Sequence, residues 1–215
     1  MTTNEALHAS AEAARRYARL AGAVLWPPRD GCARRTLRHY AVALPLVALL
    51  PAYAACQWLG LLLDEVLFRG YRRVPVTAPL FIVGVARSGT TALHHALADD
   101  PQLTTMRTWE CVLAPSITWR YLWRGLARLD RCIGRPCTRG LQRLERRWLA
   151  GLQAVHPSSL TAPEEDYLTL LPAVACFVLV VLAPDTPALW RLGRFDTALG
   201  DGERRKARRL ELHDE

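Results

Sequence analysis

The sequence lacks the cysteine and histidine patterns of a zinc-bound or disulfide-bonded module. Its six cysteines are scattered, and none forms a Cys-x-x-Cys pair. Cys132 and Cys137 lie close together, but in an arginine-rich stretch that makes a poor metal site, and no histidines have zinc-finger spacing. These absences exclude a disulfide framework and a zinc module. We interpret the cysteines as small apolar residues and expect no metal.

Lysine is almost absent, since Lys206 is the only lysine among 28 lysines and arginines. The formal net charge is +8, and arginine carries it. A basic chain attracts anionic ligands, acidic lipids and nucleic acid alike, so charge alone identifies no partner. No recognisable nucleic-acid-binding module is present, and nucleic acid is not expected as a partner. Apolar residues make up 51% of the chain, enough for a sizeable core.

The N-terminus lacks the features of a cleaved signal peptide. Its arginines are not followed by a short apolar core and a small-residue cleavage site. Instead, the spacing of apolar residues predicts an amphipathic helix from Glu5 to Leu25, ended by Pro27 and Pro28.

Charge is missing from the 24 residues between Tyr40 and Leu63. That length passes the test for a membrane-spanning helix, but Pro45 and Pro51 would kink it. Three interpretations are open: a kinked transmembrane helix, a monotopic hairpin in one leaflet, or buried helices packed on the following domain. The sequence therefore predicts a protein that is either membrane-associated or cytoplasmic.

The order strand, glycine-bounded loop and helix appears after residue 79. Leu80–Gly84 is a short apolar run typical of a buried parallel strand, and the helix that begins near Ala92 is stopped by Asp99-Asp100-Pro101. A loop that ends at a helix start presents free N–H groups and the positive end of the helix dipole. We therefore predict an anion-binding loop, with contributing residues Gly84, Arg87, Ser88, Gly89, Thr90 and Thr91.

This loop departs from the nucleotide-triphosphate loop at one chemically important position. The glycine spacing fits G-x-x-x-x-G-K-[ST], but Thr90 occupies the place of the lysine, and the cation stands inside the loop as Arg87. An ATPase or kinase needs the lysine and an acidic residue for magnesium. A donor with one phosphate and one sulfate has less charge to neutralise, so the pattern favours sulfuryl transfer without a metal.

The loop resembles the 5′-phosphosulfate-binding loop of the sulfotransferase superfamily, in its arginine-containing bacterial and tyrosylprotein types. The resemblance is carried by the stretch Pro79-Leu-Phe-Ile-Val-Gly-Val-Ala-Arg-Ser-Gly-Thr-Thr-Ala-Leu-His94. It implies 3′-phosphoadenosine 5′-phosphosulfate (PAPS) as co-substrate, with Arg87 stabilising charge on the departing diphosphate and Glu110 acting as general base. The acceptor, a small molecule, a glycan or a protein, is not encoded in any motif.

The predicted topology also supports Glu110 as the general base. If Leu103–Thr108 forms a second parallel strand, a carboxylate just past its end faces the same crevice as the loop. The alternative is that Glu110 is an ordinary solvated or salt-bridged residue. A second acidic cluster, Glu164-Glu165-Asp166 after Pro163, is interpreted as a helix N-terminus, with acceptor binding as the alternative.

Nine arginines lie between Trp119 and Trp148, mostly along one broad helical face. Gly134, Pro136 and Gly140 predict two helices in this stretch. A solvated charged face is one interpretation, and a surface for an acidic acceptor or anionic lipid headgroups is the other. The uncharged stretch from Leu168 to Pro184 predicts a core helix or strand.

The fold class expected from these patterns is α/β: a P-loop-like parallel sheet flanked by helices, incomplete, with an N-terminal helical and hydrophobic extension. Residues 1–77 form the extension, and residues 78–215 form a partial PAPS-binding domain. The polar sequence after Asp201 matches no element that grips the donor's 3′-phosphate, so the chain is expected to be C-terminally truncated. The alternatives to an active enzyme are a non-catalytic, membrane-associated remnant and, less well supported, a P-loop phosphotransferase.

Overall fold

The computed structural model describes residues 3–27, 35–82, 88–149 and 159–192. These residues form seven α-helices and three 3-10 helices. The α-helices are α1 (Thr3–Leu25), α2 (Leu37–Leu67), α3 (Thr90–Leu97), α4 (Thr108–Leu113), α5 (Ile117–Cys132), α6 (Pro136–Leu149) and α7 (Pro187–Trp190). The 3-10 helices are Arg69–Arg73, Asp166–Ala173 and Phe177–Val181.

Within these described ranges the chain forms no β-strand, and its one isolated bridge pairs Arg107 with Pro163 in antiparallel fashion. Residues 80–82 and 103–106 have no regular secondary structure, and residues 83 and 84 of the first predicted strand lie outside the described part. The parallel sheet therefore stays a prediction.

Helix α2 is continuous through both of its prolines. It extends from Leu37 to Leu67 with Pro45 and Pro51 inside, so this segment is a single helix and not the two arms of a hairpin. Four buried positions recur every seven residues, which places them on one face: Ala43, Leu50, Gln57 and Asp64. The remaining faces are apolar and largely exposed. By length and composition, α2 is one helix that is able to cross a membrane.

The described residues divide into two compact units. The first contains residues 3–58 and 167–192, and its core joins α1 and α2 to the uncharged stretch that follows Asp166. Helix α1 confirms the amphipathic helix predicted for Glu5–Leu25. The stretch Leu168–Pro184 is confirmed as core, although it forms 3-10 helices around Pro172 and not the regular helix or strand expected.

Arg35 secures the C-terminal end of α1 in this first unit. Its guanidinium donates to the carbonyl oxygens of Ala23 and Val24, at 2.7 and 3.3 Å, and lies 3.5 Å from the carboxylate of Asp185. The last carbonyls of a helix have no intrahelical partner, so a cation at this position both satisfies them and complements the helix dipole.

The second unit, residues 59–166, contains α3 to α6 and the end of α2. Two buried aspartates in this unit accept hydrogen bonds from the N-termini of α5 and α6. Asp64 accepts from the backbone N–H groups of Ile117 and Thr118 and from the Thr118 hydroxyl, at 2.5–2.7 Å. Asp130 makes the equivalent bonds to Cys137 and Thr138, at 2.5–2.9 Å. Each carboxylate therefore caps the first turn of the helix it contacts.

The pair of helices predicted for Trp119–Trp148 is confirmed as α5 and α6, separated at Gly134. Gly134 has a φ of 85°, a left-handed conformation that glycine adopts without strain. At the start of α5, the Trp119 side chain packs so closely against α2 that a Cβ added to Gly60 would lie 2.2 Å from the indole nitrogen. Gly60 therefore permits this packing. The domain boundary predicted at residue 77 rests on motifs and stays a prediction.

We expect the helix cap at Asp130 to make stability depend on pH in the acid range. The hydrogen bond from the Thr138 hydroxyl is the largest cause that lowers the Asp130 pKa from 3.8 to about 2. A carboxyl whose pKa is lower in the folded state stabilises the fold above its unfolded pKa, and that contribution is lost as the pH falls through the folded pKa. The advantage of wild type over Asp130→Asn in thermal unfolding should therefore shrink between about pH 4 and pH 2. A constant difference over this range would contradict the cap.

Candidate functional site

Helix α3 begins with an open N-terminus. Its N-cap residue is Gly89, with a φ of 87° in the left-handed region, where a residue with a Cβ is strained. Ser88 and Gly89 are exposed, and within the described part of the chain no side-chain hydrogen bond caps the helix. The glycine predicted to bring the backbone close to an anion thus stands at the helix start and has the conformation that only glycine adopts readily.

The first N–H groups of α3 are available as donors. The first bond of the helix is from the Leu93 N–H to the Gly89 carbonyl, at 3.1 Å. The N–H groups of Thr90, Thr91 and Ala92 have no acceptor among the described residues. Three unpaired donors at the positive end of a helix dipole favour an anion.

Helix α4 is different, because the protein itself satisfies its N-terminus. The N–H groups of Thr108 and Trp109 donate to the carbonyl oxygens of Ala162 and Leu160, at 3.1 and 2.9 Å. The N–H of the N-cap residue Arg107 donates to the Glu110 carboxylate at 3.0 Å. The start of α4 therefore has no free donor for a ligand, and of these two helix starts only that of α3 has N–H groups without an acceptor among the described residues.

Glu110 is a nearly buried carboxylate whose two oxygens have different partners. Oε2 accepts from the Arg107 N–H, and Oε1 lies 3.4 Å from the Arg124 guanidinium. The Glu110 side chain is 11% exposed, whereas that of Arg124 is 59% exposed. The bond to Arg107 is short and internal, while the contact to Arg124 is long and open to solvent. Oε1 therefore has the longer and more solvent-exposed of the two contacts.

The segment that contains the second acidic cluster packs along α4. Besides the bridge between Arg107 and Pro163, the Glu164 N–H donates to the Met106 carbonyl at 3.0 Å, and the Thr108 hydroxyl lies 3.4 Å from the Glu164 carboxylate. The predicted helix start at Pro163 is displaced, since the 3-10 helix begins at Asp166. The structure thus brings Glu110 and the cluster Glu164–Asp166 to the same short helix.

The Cys111 thiol is buried beside these acids, and this environment disfavours its thiolate form. Burial is the largest cause that raises its pKa to about 12, followed by the charges of Glu164, Asp166 and Glu110. A thiol with this pKa stays protonated at neutral pH, and the thiolate is the reactive form of cysteine.

One side-chain contact links α3 to the segment before α4. The His94 Nε2 lies 2.7 Å from the Thr105 hydroxyl. No hydrogen bond or ion pair joins Glu110 to residues 88–91 in the described part of the chain. Gly84 and Arg87 lie outside the described residues, and their predicted roles stay predictions. The assignments of Ser88, Thr90 and Thr91 to donor binding also stay predictions.

Sequence reasoning missed the partners of Glu110. In the sequence Arg124 belongs to a row of arginines, and nothing in its spacing from Glu110 indicates an ion pair, because the chain turns between α4 and α5. The signal for the bond from the Arg107 N–H was present, since a glutamate at the third position of a helix is the second half of a capping box. Among the described residues, no group of three His, Cys, Asp or Glu side chains is arranged to bind a metal.

Comparison with known proteins gives one match. The model of a family described as "Sulfotransferase family" matches residues 79–193, which is more than half of the chain. The matched range contains the loop before α3, α4 with Glu110, and the acidic cluster. No curated protein and no solved structure matches the chain.

Proposed function

This chain belongs to the sulfotransferase family, and from that membership we propose that it transfers a sulfuryl group from PAPS to a hydroxyl or amine acceptor. The observation that supports this donor is the N-terminus of α3, where three N–H groups have no acceptor among the described residues and follow a glycine-bounded loop containing one arginine. Donors in this arrangement suit the phosphosulfate end of the co-substrate.

In the proposed reaction, the acceptor oxygen or nitrogen attacks the sulfur, and the bond from sulfur to the bridging phosphate oxygen breaks. The leaving group is 3′,5′-diphosphoadenosine, and negative charge develops on its 5′-phosphate. Arg87 and the N–H groups of Thr90 and Thr91 stabilise that charge, because donors fixed before the reaction need no reorganisation when the charge appears. The Ser88 and Thr90 hydroxyls add further donors.

Glu110 is proposed as the general base that takes the proton of the attacking group. A base must come within hydrogen-bond reach of that proton, and Glu110 Oε1 has only the long contact to Arg124 to give up. The bond to the Arg107 N–H holds the other oxygen and fixes the carboxylate. Arg124 contributes a longer contact that the acceptor would displace.

Sulfuryl transfer is favoured over phosphoryl transfer by the residue at position 90. A phosphotransferase of the P-loop type needs a lysine there, and this chain has threonine. The non-catalytic remnant differs from the enzyme in a measurable way, since it lacks a site for the 3′-phosphate that distinguishes PAPS from simpler nucleotides.

Titration calorimetry of the full chain tests the proposal with three ligands: 3′,5′-diphosphoadenosine, AMP, and ATP with magnesium. If other arginines of the chain hold the 3′-phosphate, for which the sequence shows no motif, 3′,5′-diphosphoadenosine should bind at least about tenfold more tightly than AMP through charge-assisted hydrogen bonds. Equal binding of AMP and 3′,5′-diphosphoadenosine would indicate the remnant. Preference for ATP with magnesium would indicate a phosphotransferase. A folded chain that binds none of the three would contradict the donor site.

A further inference from the structure

Helices α5 and α6 form a hairpin with an exposed apolar face, here called the apolar face and defined by seven side chains. On α5 the positions 122, 126 and 129, with 133 just past its end, follow the spacing of one helical stripe, and on α6 the positions 141 and 144 do the same. The exposed fractions are between 41% and 70% for Leu122, Trp123, Leu126, Leu129, Ile133, Leu141 and Leu144. Soluble monomeric proteins rarely expose so many large apolar side chains together.

On the opposite side of α5, two arginines have partners within the protein. Arg120 donates from Nε to the Ala114 carbonyl at 3.1 Å, and Arg124 pairs with Glu110. These two arginines lie on the stripe 120, 124, 128 and 131, which the helical period places across the helix from Leu122, Leu126 and Leu129. Arg120 and Arg124 therefore lie toward the rest of the compact unit, Arg128 and Arg131 are exposed, and the leucines of the apolar face lie on the other side of α5.

Charge limits what can cover the apolar face. Residues 117–144 contain seven arginines and a single acid, Asp130, whose carboxylate is buried in the cap of α6. A second copy of the chain would cover the leucines but would bring no acidic partner for the arginines. A nucleic acid would satisfy the arginines but leave the leucines in water. A surface that combines an apolar layer with anionic groups satisfies both the leucines and the arginines.

We infer that the α5–α6 hairpin lies in the interface of a membrane that contains anionic lipids, with its apolar face in the acyl region and its arginines at the headgroups. Amphipathic helices with arginines on one face and leucine and tryptophan on the other bind such surfaces. The attraction is electrostatic as well as hydrophobic, since each basic residue near an anionic leaflet adds about fivefold in affinity. This surface is separate from α2 and does not depend on the proposed reaction.

Hydrogen exchange measured by mass spectrometry on the full chain tests the inference and localises it to the hairpin. Exchange is compared on vesicles of pure phosphatidylcholine and on vesicles that also contain phosphatidylserine. We expect the amides of residues 121–144 to exchange about tenfold more slowly on the anionic vesicles, because a bound helix opens less often. High salt should remove most of this protection. Peptides of α1 and α2 are followed in the same experiment, so that protection of the hairpin is distinguished from binding through those helices.

Two variants separate the apolar and the basic contributions. Leu126→Gln with Leu129→Gln changes only exposed side chains and should abolish the protection, because the hairpin loses apolar area to bury. Arg128→Gln with Arg131→Gln keeps the apolar face and should reduce the difference between the two vesicles by about tenfold or more. Circular dichroism confirms that each variant keeps its helices.

Three results would overturn the inference. The first is equal exchange of the hairpin on both vesicles. The second is protection that persists unchanged in the leucine variant. The third is protection that appears without vesicles as the protein concentration rises, which would assign the apolar face to a second copy of the chain.

Discussion

Turnover should fall by about a hundred- to a thousandfold when Arg87 is replaced by alanine, because a fixed donor to the charge that develops in the transition state is worth that much. Arg87 is the only cation between Gly84 and Gly89, so no neighbour within the loop replaces it. Turnover is measured as release of 3′,5′-diphosphoadenosine from PAPS, with a panel of hydroxyl and amine acceptors.

Two further variants make this result specific to the loop. Arg87→Lys keeps the charge but loses the planar fork of donors, so it should recover only part of the rate. Arg73→Ala removes an exposed arginine outside the loop and should leave turnover unchanged. If Arg87→Ala turns over PAPS at the wild-type rate, the loop does not stabilise the leaving group.

Glu110→Gln should lower turnover by about a hundred- to ten-thousandfold while leaving the fold intact, because glutamine cannot take a proton. The amide oxygen of glutamine can still accept from the Arg107 N–H, so the bond at the start of α4 is kept. Glu110→Ala loses both the proton acceptor and the bond to the Arg107 N–H. Its free energy of unfolding should fall by about 1 kcal/mol, the usual cost of a lost helix cap. Urea unfolding and the PAPS assay together separate the two roles.

Glu165→Gln is the matched control for Glu110, since Glu165 belongs to the acidic cluster beside the same helix but is exposed. It should keep both stability and turnover. Should Glu110→Gln also keep full turnover, Glu110 would be a structural residue that caps α4 and pairs with Arg124, which is the alternative that the sequence left open.

Local patterns were sufficient to predict several helices. The periodicity of apolar residues predicted α1, and the glycines and proline near residue 134 predicted the separation of α5 from α6. Asp99-Asp100-Pro101 predicted the end of α3, which ends at Leu97. These signals act within a few residues of the chain and do not depend on what packs around them.

Contacts between distant segments could not be predicted in the same way. Asp64 caps a helix whose first residue is Ile117, and no periodic pattern relates the two positions. The pairing of Arg107 with Pro163 likewise depends on how the chain returns to α4. The continuity of α2 through Pro45 and Pro51 was also not predictable from local patterns. Prolines favour a kink or a break in a helix, but tertiary packing can override the preference of single residues.

Each compact unit contains a buried cysteine, so alkylation of these two thiols reports when each unit opens. Cys176 lies fully buried in the core of the first unit, and Cys111 lies fully buried beside α4 in the second. Burial raises the pKa of Cys176 to about 11, so both thiols resist alkylation while folded. By contrast, Cys56, Cys132 and Cys137 are exposed. The order in which the two buried cysteines become alkylated therefore reveals which unit opens first, without any change to the sequence.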